Sequence, residues 1–293
     1  MTILESIQRG SEFLTRKGVG SPRLQVELLL AHMLRMPRVK LYINFERVLT
    51  AEETDALRAM VRRRGQREPC QYITASACFC GFEIPLNSHV LIPRPETESL
   101  AERAWTWLKK RGGPADVLEL GTGSGCLAIA VACHAAEAKI CATDISEAAL
   151  ELAERNALSN ELSGRIQFRQ GDLFAAVAAD ARFDLILSNP PYIPAGRIET
   201  LEPEVRDFEP RHALDGGADG QDFYRRIAAG AGALLRPGGR VMVELDGDGA
   251  PATRRIFEDE KWEIEAIDRD DNGHERILVA RLANQAQDAE PLK

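Results

Sequence analysis

Residues 116–144 read DVLELGTGSGCLAIAVACHAAEAKICATD, and their order decides the fold. Asp116-Val-Leu-Glu-Leu120 is a short apolar run with strand character. Three glycines, Gly121, Gly123 and Gly125, then turn the chain, and Gly125 to His134 has the length and composition of a buried helix. Ala138 to Thr143 is a second strand, closed by Asp144. A strand–helix–strand unit of this kind starts a mostly parallel sheet with helices on both faces, so the fold class is α/β. The alternation continues outward. Thr97 to Lys110 and Glu147 to Leu158 are predicted helices; Arg165 to Arg169 and Phe183 to Ser188 are predicted strands. Phe223 to Leu235 reads as a helix, Pro237-Gly238-Gly239 as a turn, and Arg240 to Glu244 as the strand it launches. Trp262 to Ile267 and Arg276 to Ala280 look like two final strands.

Upstream the texture is helical. Ile3, Ile7, Phe13 and Leu14 recur at helical spacing, Ser21-Pro22 is read as the N-cap and first residue of a second helix, and Thr50-Ala-Glu-Glu53 is a capping box. Gln71 to Thr74, Cys78 to Ile84 and His89 to Ile92 are β-rich pieces separated by Gly81 and Asn87. The expected organisation is a helical docking domain over 1–75, a β-hairpin linker over 76–92, a catalytic domain over 93–283 and a disordered tail over 284–293.

The 293 residues, 44% hydrophobic and 28% charged, suffice for a core without disulfides or metal. Cys78-Phe-Cys80 has one intervening residue where zinc sites want two to four, so reduced cysteines and no metal are expected. The early acidic residues of MTILESIQRGSEF argue against a signal peptide, which makes the cytoplasm the expected compartment, with no membrane partner. A net charge of −8 argues against direct nucleic-acid binding. Residues 1–75 nevertheless hold 13 Lys and Arg against 8 Asp and Glu, which hints at docking of a partner there. Arg62, Arg63, Arg64 and Arg67 are the densest part of that charge; the bland reading is a solvated helix end.

Three stretches carry chemistry. Gly121-Thr122-Gly123-Ser124-Gly125 allows backbone to approach a ligand, and Asp144, about twenty residues on, is placed to grip both hydroxyls of a ribose. The third glycine comes one residue early for a dinucleotide fingerprint, and no Walker lysine is present, which favours a nucleoside without pyrophosphate. Gly171-Asp-Leu-Phe174 closes the third strand, where Asp172 and Leu173 would border an adenine; Asp172 as a plain helix N-cap is the alternative. The sharpest signal is Ser188-Asn-Pro-Pro-Tyr-Ile193. Two consecutive prolines hold the chain stiff and extended after a buried strand, at the carboxyl edge where open α/β sheets bind ligands. Asn189 and the Pro190 carbonyl then face that edge, with Tyr192 as a wall.

Together these residues resemble a class I, Rossmann-like methyltransferase that uses S-adenosylmethionine to modify an amide or amino nitrogen. Gln71-Tyr-Ile, Phe79-Cys-Gly-Phe, Val90-Leu-Ile-Pro-Arg-Pro-Glu-Thr-Glu98, Phe208-Glu-Pro210, Asp219-Gly220 with Phe223-Tyr-Arg-Arg-Ile227, and Gly273-His-Glu-Arg276 narrow the likeness to the release factor glutamine methyltransferase family, over residues 5 to 282. Two places depart from that pattern: Asp246 where relatives commonly carry Gly, and Asp270-Asp271-Asn272 before Gly273.

The resemblance implies methylation of the glutamine amide in the Gly-Gly-Gln motif of peptide chain release factors, by a monomer. It implies Asn189, Pro190 and Tyr192 as the catalytic group, and Pro191, Arg94 and Glu98 as further substrate contacts. It makes residues 121–125, Asp144, Asp172, Leu173 and Asn189 the cofactor site. An amide nitrogen is a poor nucleophile that no side chain of pKa near 7 can deprotonate, so aiming its lone pair is what a site can supply. A DNA adenine methyltransferase, a ribosomal-protein glutamine methyltransferase and a non-enzymatic binding module are the alternatives. The acidic C-terminal part speaks against the first, and the intact glycine loop and Asn189 speak against the last.

Overall fold

A computed structural model describes residues 1–270 and 272–283. The expected disorder of 284–293 and the middle residue of the 270–272 departure, Asp271, lie outside the described residues. In chain order the elements begin α1 (Ile3–Arg16), α2 (Pro22–Met33), α3 (Val39–Tyr42), α4 (Ala51–Gly65), α5 (Cys70–Thr74), β1 (Ser76–Phe79) and β2 (Phe82–Pro85). They continue α6 (Pro95–Arg111), β3 (Ala115–Leu120), α7 (Cys126–His134), β4 (Ala138–Asp144), α8 (Glu147–Ser159), β5 (Ile166–Gln170), β6 (Phe183–Ser188) and α9 (Pro203–Arg206). The last are α10 (Asp222–Ala231), β7 (Leu235–Glu244), α11 (Ala250–Asp259), β8 (Trp262–Arg269) and β9 (Glu275–Leu282).

One compact unit comprises Met1–Ser76 with Leu86–Ser88 and Leu201–Phe208. Its helices start where the sequence supplies acceptors. The Thr2 hydroxyl accepts the Glu5 N–H while the Glu5 carboxylate accepts the Thr2 N–H, and Thr50 and Glu53 repeat this reciprocal cap. Ile3, Ile7, Leu14, Val26, Leu29, Leu30 and Leu57 interlock as its core. Two expectations fail here. Ser21 sits at φ 48° and its side chain caps nothing; Pro22 alone pre-sets the start of α2. Gln71 to Thr74, expected as strand, lies within helix α5, because Cys70 and the β-type residue Ile73 are buried in the bundle core.

The arginine cluster is also not what its charge suggests. Arg63 pairs with Glu68, Arg64 with Glu204, and Arg67 with both Glu202 and Glu204, all inside this unit. Arg64 is buried and also donates to Gln25.

The second unit comprises Ala77–Pro85, His89–Thr200 and the chain from Glu209 onward. Its sheet runs β5-β4-β3-β6-β7-β9-β8. Strands β3 to β7 pair in parallel, and β9 is antiparallel to both β7 and β8. Every residue of β6 is buried, as a strand covered on both faces requires. Strand β3 has β4 on one side and β6 on the other, so the connections leave it in opposite directions and open a crevice at the carboxyl ends. Leu120 is paired with Thr143 and with Ser188, which sets Gly121, Asp144 and Asn189 side by side at that edge.

Three local expectations change. His89 to Ile92 joins no strand, so the hairpin is β1 and β2 alone. Pro237-Gly238-Gly239 lies within β7 as a bulge opposite Asp184, where the β6–β7 register shifts, rather than before the strand as a turn. Helix α11, not anticipated, buries Phe257 edge-on against Trp262.

Candidate active site

The crevice deepens into a cavity with about 940 Å³ of empty space including its open mouth. Its floor is the glycine loop. Gly121 and Thr122 both donate their N–H to the Thr143 carbonyl, at 2.8 and 2.9 Å, so the loop is tied to the end of β4. Gly121 and Gly123 have positive φ, and a Cβ on either would meet no atom within 4 Å, so both present bare backbone to open space. Gly125 differs from the expectation. It does not line the cavity; its Cβ would stand 3.0 Å from that of Ala153, so it is glycine in order to pack the turn on α8.

Asp144 is nine-tenths buried and lines the cavity. Its Oδ2 accepts the Gly123 N–H at 2.8 Å and its Oδ1 the Ser146 N–H at 2.9 Å. A carboxylate has about four acceptor positions, so both oxygens keep capacity for hydroxyl donors. Ile145 follows, a large apolar side chain 58% exposed on the same wall, and Leu173 and Phe223 add further apolar surface. Two hydroxyl-binding acceptors beside an apolar wall fit the ribose and adenine of S-adenosylmethionine. Asp172 lines the wall too, paired with Arg226 at 2.7 Å, and its side chain makes no cap bond to the following turn.

Glu119 is a lining residue that the sequence reading missed. It is buried beneath the loop, and burial pushes its carboxyl up to about 8, against the hydroxyl that Thr122 donates at 2.8 Å. The signal was its place directly before the glycine turn. Thr97, also missed, lines the cavity from the first turn of α6.

Asn189 and Pro191 line the cavity, whereas Pro190 and Tyr192 do not. Pro190 is buried, and the Tyr192 ring packs on the sheet core, where burial pushes its hydroxyl well above the usual phenol range. Arg94 stands on the lining, held by the buried Glu209 at 2.6 Å. Glu98 is not part of the lining; its carboxylate accepts the Cys80 N–H at 2.8 Å and fastens the hairpin. The Asn189 Nδ2 donates to the Thr97 hydroxyl at 3.0 Å. Asp270 of the second departure accepts the N–H groups of Asn272 and His274 and pairs with Arg276.

The family model for the PrmC N-terminal domain matches residues 5–74, and that for the methyltransferase small domain matches residues 102–201. A release factor glutamine methyltransferase of Geobacter sulfurreducens is 43% identical over 270 residues, covering 92% of this chain and 93% of that protein. One of Chlorobaculum tepidum is 43% identical, covering 87% and 89%. Among solved structures, a ribosomal protein L11 methylase of Lactobacillus delbrueckii superposes with a TM-score of 0.50 at 24% identity, over 68% of this chain and 84% of that one, a likeness of fold.

Proposed function

The chain belongs to the release factor glutamine methyltransferase family and is a methyltransferase, and on that premise we propose that it methylates the glutamine side-chain amide of the Gly-Gly-Gln motif in peptide chain release factors. It works in the cytoplasm, as a monomer, on protein rather than nucleic acid. S-adenosylmethionine, when bound, supplies a methyl group already activated on a sulfonium. Asp144 takes the ribose hydroxyls, the bare backbone of Gly121 and Gly123 lets the cofactor lie close, and Ile145, Leu173 and Phe223 shelter the base.

The observation that carries the reading is the placement of Asn189 on the same cavity as the glycine loop, one residue beyond the Leu120–Ser188 pair. From there its side-chain oxygen accepts one hydrogen of the glutamine amide, and that contact turns the nitrogen lone pair toward the methyl group. Pro190, buried and off the lining, stiffens the turn that presents Asn189. That nitrogen gains the methyl and releases one proton to water, so no general base is required. Such orientation contributes on the order of 7–11 kcal/mol in favourable cases. Arg94 and Pro191 border the incoming loop, and Tyr192 supports the turn from behind.

Mass spectrometry of purified release factors after incubation with the protein and S-adenosylmethionine tests this. The expected result is one added methyl on the Gly-Gly-Gln glutamine. Transfer to a ribosomal protein or to DNA adenine, with release factors unmodified, would overturn it.

A further inference from the structure

Asn189 has two faces to offer a substrate amide, and only one of them works. Its Oδ1 can accept an amide hydrogen; its Nδ2 would set donor against donor. Among the described residues the Asn189 side chain has one hydrogen-bond partner, the Thr97 hydroxyl, 3.0 Å from Nδ2. Thr97 is itself committed, because its hydroxyl donates to Oε2 of Glu244 at 2.7 Å. Thr97 and Glu244 are 4% and 2% exposed, so these hydrogen bonds are made in largely buried surroundings.

The order of donors is then forced. An ionised carboxylate only accepts, so the single hydroxyl hydrogen of Thr97 points at Glu244. The Thr97 oxygen is left as an acceptor, and it can be satisfied by Nδ2 of Asn189 but not by Oδ1. The side-chain amide is thereby locked with Nδ2 inward and Oδ1 toward the cavity. Resting on the function proposed above, we propose that Thr97 and Glu244 are positioning residues that fix the rotation of the Asn189 amide and so set its oxygen to receive the substrate glutamine.

The lock depends on the charge of Glu244. Once protonated, Glu244 can donate to Thr97, whose hydrogen is then free for Oδ1, and the preference for the productive rotation disappears. Burial pushes the Glu244 carboxyl up to about 7, where this exchange falls in the working range. The charged and titratable groups facing it are Glu96 and Arg94 at the start of α6, Arg276 on β9, Tyr192 after β6 and Tyr224 on α10. Arg276 is already paired with Asp270, and Arg94 with Glu209.

The test compares the full-length protein with Thr97→Val, which keeps shape and removes the hydroxyl, Thr97→Ser, which keeps the hydroxyl, and Glu244→Gln. Turnover and KM on a purified release factor are measured from pH 6 to 9, with cofactor Kd by calorimetry. Thr97→Val should lower kcat about ten- to a hundredfold while cofactor Kd and release-factor KM change less than about threefold, and Thr97→Ser should restore kcat to within about threefold. In the parent enzyme kcat should rise with pH through about 7, and Glu244→Gln should abolish that rise. Parental kcat in Thr97→Val, or equal losses in Thr97→Val and Thr97→Ser, would overturn the proposal. Should Thr97→Val fail to fold, an unchanged pH profile in Glu244→Gln overturns it alone. A parent enzyme inert toward release factors would instead overturn the function on which the proposal rests.

Discussion

Each carboxylate oxygen of Asp144 already accepts one backbone N–H, from Gly123 and from Ser146, so the carboxylate is aimed before any ligand arrives. Charge-assisted bonds to hydroxyls contribute ~1.5–3 kcal/mol each, so losing one or both makes Asp144→Ala weaken cofactor binding roughly ten- to a hundredfold or more. Asn189→Ala should do the reverse, lowering single-turnover rates far more than cofactor affinity. Calorimetry beside single-turnover kinetics separates the two, and near-normal turnover in Asn189→Ala would reduce Asn189 to a turn residue. Glu119 makes a different statement, about pH. Its carboxyl is raised from an ordinary 4.5 to about 8 by burial, so the folded chain holds a proton that the unfolded chain has released. The stabilisation is fully present below pH 4.5 and is lost as pH rises through about 8. The slope is about 1.4 kcal/mol per pH unit. Glu244 adds the same trend up to about 7. Denaturant midpoints at pH 5 and pH 9 should therefore fall less in Glu119→Gln than in the parent, and identical falls would show that Glu119 ionises without cost.

At the level of elements, the parallel strands and the helices between them were legible because both strong periodicities are present and each turn has its own chemistry. The glycine turn, the Asn-Pro-Pro-Tyr stop and the Thr50–Glu53 capping box each name a boundary that the structure keeps. The failures share one cause, in that tertiary packing outweighed local preference. Tyr72 and Ile73 favour a strand until burial of Ile73 in the bundle core holds the segment as a helix. Helix α11 carries few apolar residues, and only its contact with Trp262 shows why Phe257 is where it is. Of the cavity lining, Gly121, Gly123, Asp144 and Asp172 were legible in the sequence. Thr97 and Glu244 were not, since Thr97 on α6 meets Asn189 across 92 residues of sequence and Glu244 on β7 meets Thr97 across 147. Gly125 and Glu98 lie off the lining for the same reason: both belong to motifs that touch the cavity, yet one packs on Ala153 and the other on the Cys80 backbone.

For the molecule as a whole, the excess positive charge of the N-terminal part divides into two kinds. Arg64 and Arg67 hold the 201–208 segment through Glu204, whose carboxyl stays below its usual range despite burial because both guanidinium groups donate to it. These are structural. Glu204→Gln strands the buried Arg64 and should cost ~3–5 kcal/mol. The Gln25 side chain and the Glu68 carbonyl still accept from Arg64, which puts the loss at the low end. Arg9 and Arg62 are different. Both are exposed, neither forms an ion pair among the described residues, and both flank an apolar groove that Phe13, Leu57 and Val61 line between α1 and α4. If this helical unit docks the release factor, as its charge balance suggests, Arg9 and Arg62 are cations free to meet an acidic protein surface beside that groove. Arg62→Glu should leave stability within ~0.5 kcal/mol, since the side chain holds nothing in place. It should raise KM several-fold for a whole release factor while leaving KM for a short peptide carrying Gly-Gly-Gln unchanged, because a peptide reaches only the cavity. Equal KM values for the whole factor in the parent and in a combined Arg9→Glu, Arg62→Glu variant would remove charge from the docking account.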